Sequence, residues 1–331
     1  MSASVPALLK DAPGGVQEMV AKLVAKLSIP GVGEPLAQLA SNDKAGGTAR
    51  IEALKALAST KDANLGKAAL AAIRDKDAKL RAEGLQALAG SDPAAAVKAI
   101  AEILNTGTVV EKQGGVLALA QMKRPDADAV LSGALDKLIA NQLPGEIQLD
   151  VLDAAKKRDA AGLKDKLAKY EAALPASDPL AKYRTALLGG NADNGRKIFR
   201  EKAQTECLRC HKCEIGDSQV GPELTHIGAT KDRAYLLESI ILPSAKIAEG
   251  FETVVLTLAN GDIVAGTLAG QDAAGVKLRV LDPQGKMQTQ TVPLAQIKER
   301  QAAPSPMLPG LGEMLTRTEL RDVIEYLATR K

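Results

Sequence analysis

The sequence predicts a mainly α-helical protein in two unlike parts: a stack of repeated helix pairs, then a smaller helical domain interrupted by a short β-rich stretch. Three observations carry this. A nine-residue pattern recurs at a fixed spacing through the first half. All three cysteines and both histidines fall after residue 190. One stretch of about fifty residues changes its hydrophobic period from that of a helix to that of a strand.

The repeats come first. "RIEALKALA" (50–58), "RAEGLQALA" (81–89) and "KQGGVLALA" (112–120) begin at 50, 81 and 112, so they recur every 31 residues. A weaker fourth copy, "IQLDVLDAA" (147–155), follows after a longer step. Within each copy the apolar residues sit three and four apart, as an amphipathic helix requires. Second helices are expected between them, at "NLGKAALAAI" (64–73) and "AAAVKAIAEIL" (94–104), with turn signals such as "SDP" (91–93) separating the pairs. Helix pairs repeating at this period read as a HEAT-like α-solenoid over residues 1–185. Aromatic residues make up only 2% of the chain and Trp is absent, so the core must be built from Ala, Leu, Val and Ile in closely packed helices.

The stretch "SDPLAKYRTALLGGNADNG" (177–195) marks the joint, because its Gly-Gly-Asn and Asn-Gly signals break the helical period. A second domain over residues 190–331 follows. Inside it, residues 251–300 read as a small sheet or barrel of four or five strands. "FETVVLTLA" and "DIVAGTLAG" flank Asn260-Gly261, which predicts a hairpin with a type I′ turn. "VKLRVL", the turn "DPQG" (282–285) and "KMQTQTV" add two more strands.

Composition removes several function classes. A net charge of +3, with no Lys/Arg run and no basic-aromatic interleaving, argues against nucleic acid as a partner. No apolar run approaches the roughly 20 residues of a membrane span. The amino terminus "MSASVPALLKDAPGG" shows no charged segment followed by an apolar export stretch.

The chemistry concentrates in "TECLRCHKCEIG" (205–216). Cys207, Cys210 and His211 form C-x-x-C-H, the c-type haem attachment pattern. Two thiols three apart lie on one helical turn, within reach of the two vinyl groups of one porphyrin, and the adjacent imidazole is then placed beneath the iron. A zinc staple would draw on Cys213 and His226 as further ligands, and a redox dithiol would need a thioredoxin-like context that is not visible. The pattern favours haem over both. A ligating imidazole needs an acceptor for its other ring nitrogen, and the backbone carbonyl near Pro222, in "GPELTHIG", is the candidate. Upstream, "NGRKIFREK" places Gly195 and Phe199 one turn apart, and downstream "TELRDVIEYLATRK" is an amphipathic helix whose Tyr326 can lie against Gly195.

With "GRKIF", "CLRCH", "VGPELTHIG", "YLLESIILPSAKIAEGFETV", "GDIVAGTL" and "SPMLPGLGEMLTRTELRDVIEYLA", residues 190–331 resemble the monohaem cytochrome c domain of the planctomycete-type haem-binding family. Members of that family often carry HEAT-like repeats before this domain. The resemblance implies an all-α class I-type cytochrome c fold carrying the inserted β sheet, one covalent haem c, and one-electron transfer without an enzymatic step of its own. Met307, in the proline-braced "PSPMLPG" near the family's Met-Pro position, is expected as the distal iron ligand opposite His211. Met314 is the rival, with packing as its other role. His226 reads as a polar loop residue, Cys213 as a buried spare thiol, and Arg209, Lys231, Arg233 and Tyr235 as candidates for haem propionates or plain surface residues.

Haem attachment of this kind occurs outside the cytoplasm, so a periplasmic or otherwise exported protein is expected, its leader absent from this chain. The expected partner is a redox protein, a fused or associated dehydrogenase, docking on the helical repeats. Two competing readings are a haem sensor with an open sixth site and an interaction protein stapled by zinc.

Overall fold

The computed structural model describes residues 4–216, 220–282 and 287–331. It is mainly helical with one small antiparallel sheet. The chain divides into two units, Met1–Leu174 and Pro175–Lys331.

The first unit is a succession of helices: α1 (Ser4–Asp11), α2 (Gly14–Leu27), α3 (Gly33–Ser41), α4 (Gly47–Ser59), α5 (Leu65–Ala72) and α6 (Ala78–Ser91). It continues with α7 (Pro93–Thr106), α8 (Val109–Leu119), α9 (Pro125–Ile139), α10 (Gly145–Arg158) and α11 (Ala161–Ala172). The four copies of the repeat fall on α4, α6, α8 and α10, and each of these packs against the next. The intervening helices pack on them and on one another, α3 with α5, α7 with α9, and α9 with α11. In α4 the buried side is Ala49, Ala53, Leu54, Ala56 and Leu57, so the small residues of the repeat set the close approach and the leucines supply the apolar area. Each fully buried leucine contributes roughly 2 kcal/mol.

Local chemistry places the helix ends. Asp92 of "SDP" accepts from Ala95 N at 3.1 Å with Pro93 in the first helical position, and so starts α7. Thr108 and Glu111 form a reciprocal cap on α8. Arginine–carboxylate pairs then tie the helices to one another. Arg50 reaches Asp75 at 2.6 Å, Arg81 grips Glu111 at 2.6 and 2.9 Å, and Arg158 grips Asp128 at 2.7 and 3.0 Å. Arg50 and Arg81 occupy the same first position of consecutive repeats.

The second unit begins earlier than the joint read from the sequence. A 3-10 turn at Ala181–Ala186 buries Tyr183 and Ala186 in this unit's apolar core, so residues 175–189 belong with it. It continues with α12 (Ala192–Glu201), the single turn α13 (Cys207–Cys210), α14 (Arg233–Ile241), the sheet, the short α15 (Leu311–Met314) and α16 (Arg317–Ala328). Helix α16 is the hub and packs against α12, α14 and the 3-10 turn. Its Leu320, Val323, Ile324 and Leu327 are all buried, as the amphipathic pattern requires.

The sheet contains β1 (Thr253–Leu258), β2 (Ile263–Asp272), β3 (Gly275–Leu281), β4 (Met287–Val292) and β5 (Ile297–Ala303), in the order β4-β3-β2-β1-β5 with every described pairing antiparallel. The last strand runs three residues beyond the expected limit at 300. Val254, Leu256, Val276, Leu278 and Val292 form a core of its own. The β1–β2 hairpin forms at Asn260-Gly261, but the turn is not type I′. Only Gly261 takes positive φ, at 91°. The Gly261 amide instead closes a turn back to the Leu258 carbonyl at 2.9 Å, and the Asn260 side chain accepts from Asp262 N at 3.0 Å. Most of the turn expected at 282–285 lies outside the described residues. The two ends of the sheet segment meet where Ser305 N donates to Ser244 Oγ at 3.1 Å.

Candidate functional site

Helix α13 is one turn long, and the His211 amide extends it by donating to the Cys207 carbonyl at 2.9 Å. This puts Cys207 and Cys210 on one turn, both half-buried and unoxidised. After His211 the backbone is extended and runs beside residues 221–224. Gly221 N donates to the Cys210 carbonyl and Leu224 N to the Lys212 carbonyl, each at 2.7 Å. Between these bonds, His211 Nδ1 lies 2.9 Å from the Pro222 carbonyl. A carbonyl accepts only, so Nδ1 carries the proton and Nε2 keeps its lone pair. Gly221 must be glycine here, because a Cβ would come within 2.7 Å of the ring's Cε1.

Burial sets the protonation of the group. It holds the His211 imidazole below the ordinary histidine pKa, against the smaller opposing effect of the Pro222 bond. It also pushes both the Cys207 and Cys210 thiols up. The site therefore presents a neutral imidazole and two neutral thiols at neutral pH. A nucleophilic or redox-cycling dithiol needs the opposite shift, so the thiol chemistry counts against that reading.

Helices α12 and α16 cross directly beside this turn. At Gly195 an added Cβ would overlap the Asp322 carbonyl and stand 2.9 Å from Tyr326 Cβ. Phe199 and Tyr326 fill the crossing with ring centroids 5.6 Å apart and planes tilted by 54°. The buried Asp322 carboxylate caps the approach to α12, accepting from Asn191 N at 2.8 Å and from Asn194 Nδ2 at 2.7 Å. Nothing in the sequence around residue 322 signals that role.

Met307 is half-buried and packs against the same apolar cluster as Cys207 and Leu208. Its loop is braced where Met307 N donates to Ser305 Oγ at 3.2 Å. Met314, by contrast, is 42% exposed. The other candidates are occupied elsewhere. His226 is exposed, with Nδ1 3.0 Å from the Lys331 carbonyl. Arg233 forms a two-pronged pair with Glu325 at 2.7 and 2.9 Å, Arg209 pairs with Glu206, and Lys231 sits over the Tyr235 ring.

Cys213 is fully buried, and its Sγ lies 3.3 Å from the Tyr326 hydroxyl. Beside it Glu214 gathers Arg196, Arg200 and Arg330, a cluster that the sequence reading missed. Among the described residues no group of three or more His, Cys, Asp or Glu side chains converges as for a metal ion. Cys213 and His226, the further zinc ligands considered above, are engaged with Tyr326 and with the Lys331 carbonyl.

No protein-family model matches this chain, and no curated protein matches it in sequence.

The residues present fit a c-type haem. Two half-buried thiols lie one turn apart at an apolar cluster, a neutral imidazole is oriented by a backbone carbonyl, and a half-buried methionine packs against that cluster.

Proposed function

We propose that residues 190–331 form a monohaem cytochrome c domain and that this chain transfers single electrons. Cys207 and Cys210 would hold the haem c by thioether bonds, and His211 and Met307 would supply the ligands to its iron. The observation that carries the reading is the pairing of a C-x-x-C turn with an imidazole whose Nδ1 is already engaged by Pro222. Bound haem supplies a one-electron iron couple. The chain's own residues decide how that couple behaves. Gly221 leaves room for the ring, and Pro222 fixes its tautomer and orientation. The apolar cluster under Leu208, Phe199 and Tyr326 keeps water out. Met307 provides a soft thioether sulfur, which favours the reduced metal and a high potential.

The preceding helical repeats form a HEAT-like solenoid in this reading and dock a redox partner, a fused or associated exported dehydrogenase. The stacking of the equivalent helices α4, α6, α8 and α10 supports the solenoid part of this reading. In this reading the chain is likened to the planctomycete-type haem-binding family through the motifs of residues 190–331, and covalent haem attachment implies an exported compartment.

The test is expression with the cytochrome c maturation machinery, followed by a visible spectrum and acid-acetone extraction of the denatured protein. The expected result is a low-spin c-type spectrum with haem retained on the polypeptide. Colourless protein carrying one zinc ion per chain overturns the reading. A high-spin spectrum with an open sixth position transfers it to ligand sensing.

A further inference from the structure

The third thiol of the cluster has no part in thioether attachment, yet it is the most deeply buried of the three. Cys213 Sγ stands 3.3 Å from the Tyr326 hydroxyl and donates to the Leu224 carbonyl at 3.7 Å. The Cys213 amide turns back to the Ile215 carbonyl at 3.1 Å. The next residue, Glu214, holds its backbone amide on Thr225 Oγ1 at 3.1 Å and its carboxylate on Arg196, Arg200 and Arg330. Tyr326 OH also lies 3.4 Å from Glu214 Oε2.

These contacts lie on a short path to the proposed iron ligand. Residues 210–212 and 221–224 run side by side through the two 2.7 Å backbone bonds, and Pro222 presents its carbonyl to His211 from within that pairing. Cys213 touches the far end of the same pairing through Leu224 and anchors it to α16 through Tyr326. We propose that Cys213 and Tyr326 act together as a positioning pair for His211, holding the extended segment 221–224 at the depth where the Pro222 carbonyl meets Nδ1. The inference rests on the haem reading above. It assigns the unexplained thiol a task in tuning rather than in attachment.

The physical consequence has a sign. A strong Nδ1–H to carbonyl bond makes the imidazole a better electron donor and favours oxidised iron. When the 221–224 segment drifts, that bond weakens, Nε2 becomes a poorer donor, and the reduction potential rises. Packing alone predicts only lower stability.

The experiment compares Cys213→Ala, Cys213→Ser, Tyr326→Phe and the Cys213→Ala/Tyr326→Phe double variant in the full chain. The readouts are reduction potential, thermal midpoint and the exchange rate of the His211 Nδ1 proton by NMR. The potential is expected to rise in Cys213→Ala and in Tyr326→Phe, with no further rise in the double variant, because the two groups act as one unit. Nδ1 proton exchange is expected to quicken on the order of tenfold in each. Cys213→Ser keeps a hydrogen-bonding group and is expected to recover both values. Unchanged potential and exchange alongside a lowered thermal midpoint overturn the proposal, as do shifts that simply add. Tyr326→Phe removes a single oxygen and keeps the comparison open if Cys213→Ala does not fold. The exchange measurement is repeated on haem-free wild-type and variant chains. If the wild type takes up no haem, the function proposed above fails, while the pair is still judged by that exchange.

Discussion

The Pro222 carbonyl and the missing side chain at Gly221 act on opposite edges of one requirement, since the imidazole must be held and must also have room. Gly221→Ala would bring a Cβ to 2.7 Å from Cε1 and 2.9 Å from Nδ1. The expected outcome is a loss of about 1–3 kcal/mol in stability and a sharp fall in the yield of attached haem. Urea unfolding and haem quantitation check it. For the proposed ligand Met307, Met307→Ala is expected to remove the weak far-red absorption of methionine–iron(III) bonding and to lower the potential by about 100 mV or more, within the roughly 0.8 V that axial ligands span. Met314→Ala is expected to do neither, and the reverse result moves the ligand to Met314. Cys207, Cys210, His211 and Pro222 could be singled out from the sequence because their logic is local, all four falling within sixteen residues of chain, whereas Gly221 was not named there. The Cys213–Tyr326 contact joins residues 113 apart and leaves no trace in either neighbourhood.

Among the elements, the crossing of α12 and α16 depends on one absent side chain. Gly195→Val is expected to force the helices apart, lower stability by about 1–3 kcal/mol and loosen Phe199 from Tyr326. Near-ultraviolet circular dichroism of the tyrosines reports it. In the repeats, the Arg81 fork and the Thr108 cap hold the Glu111 carboxyl down to about 2, well below its ordinary 4.5. A carboxylate depressed in the folded state contributes stability above its unfolded pKa and loses it as pH falls through the folded value. The first unit should therefore lose about 1–2 kcal/mol between pH 4.5 and about 2 from this group, with solvent at the partly exposed Arg81 limiting the effect. Glu111→Gln is expected to flatten that part of the acid-unfolding curve. The hydrophobic period located these helices well, and "SDP" supplied a real cap at Asp92. The Asn260-Gly261 hairpin was placed correctly but its turn was not. Asn260 satisfies Asp262 N with its side chain, so only the glycine has to enter the left-handed region.

For the whole molecule, separate cores have separate consequences. Residues 9–167 contribute one apolar cluster, the helices of the second unit another, and the sheet a third. Residues 1–174 are expected to fold without haem, and scanning calorimetry of the haem-free chain should retain their transition while the transition of 175–331 shifts or broadens. A single cooperative transition that disappears without haem would contradict this division. The turn signals of residues 177–195 mark a joint in the sequence, and the second unit takes in that whole stretch from Pro175. What assigns it is the 3-10 turn around Tyr183, which packs on α14 and α16 of the second unit.

The hydrogen bond between Ser305 and Ser244 draws the ends of the sheet segment together at a narrow neck, where the Arg279 guanidinium also sits 5.0 Å above the Phe251 ring. In topological terms the sheet hangs from the helical domain like a bead on a closed ring, so its length is free to change without stretching the frame. A chain with the bead cut out and a few flexible residues spanning the neck would be a minimal version of the proposed cytochrome domain, and its visible spectrum after maturation would show whether the ring alone carries the proposed haem site.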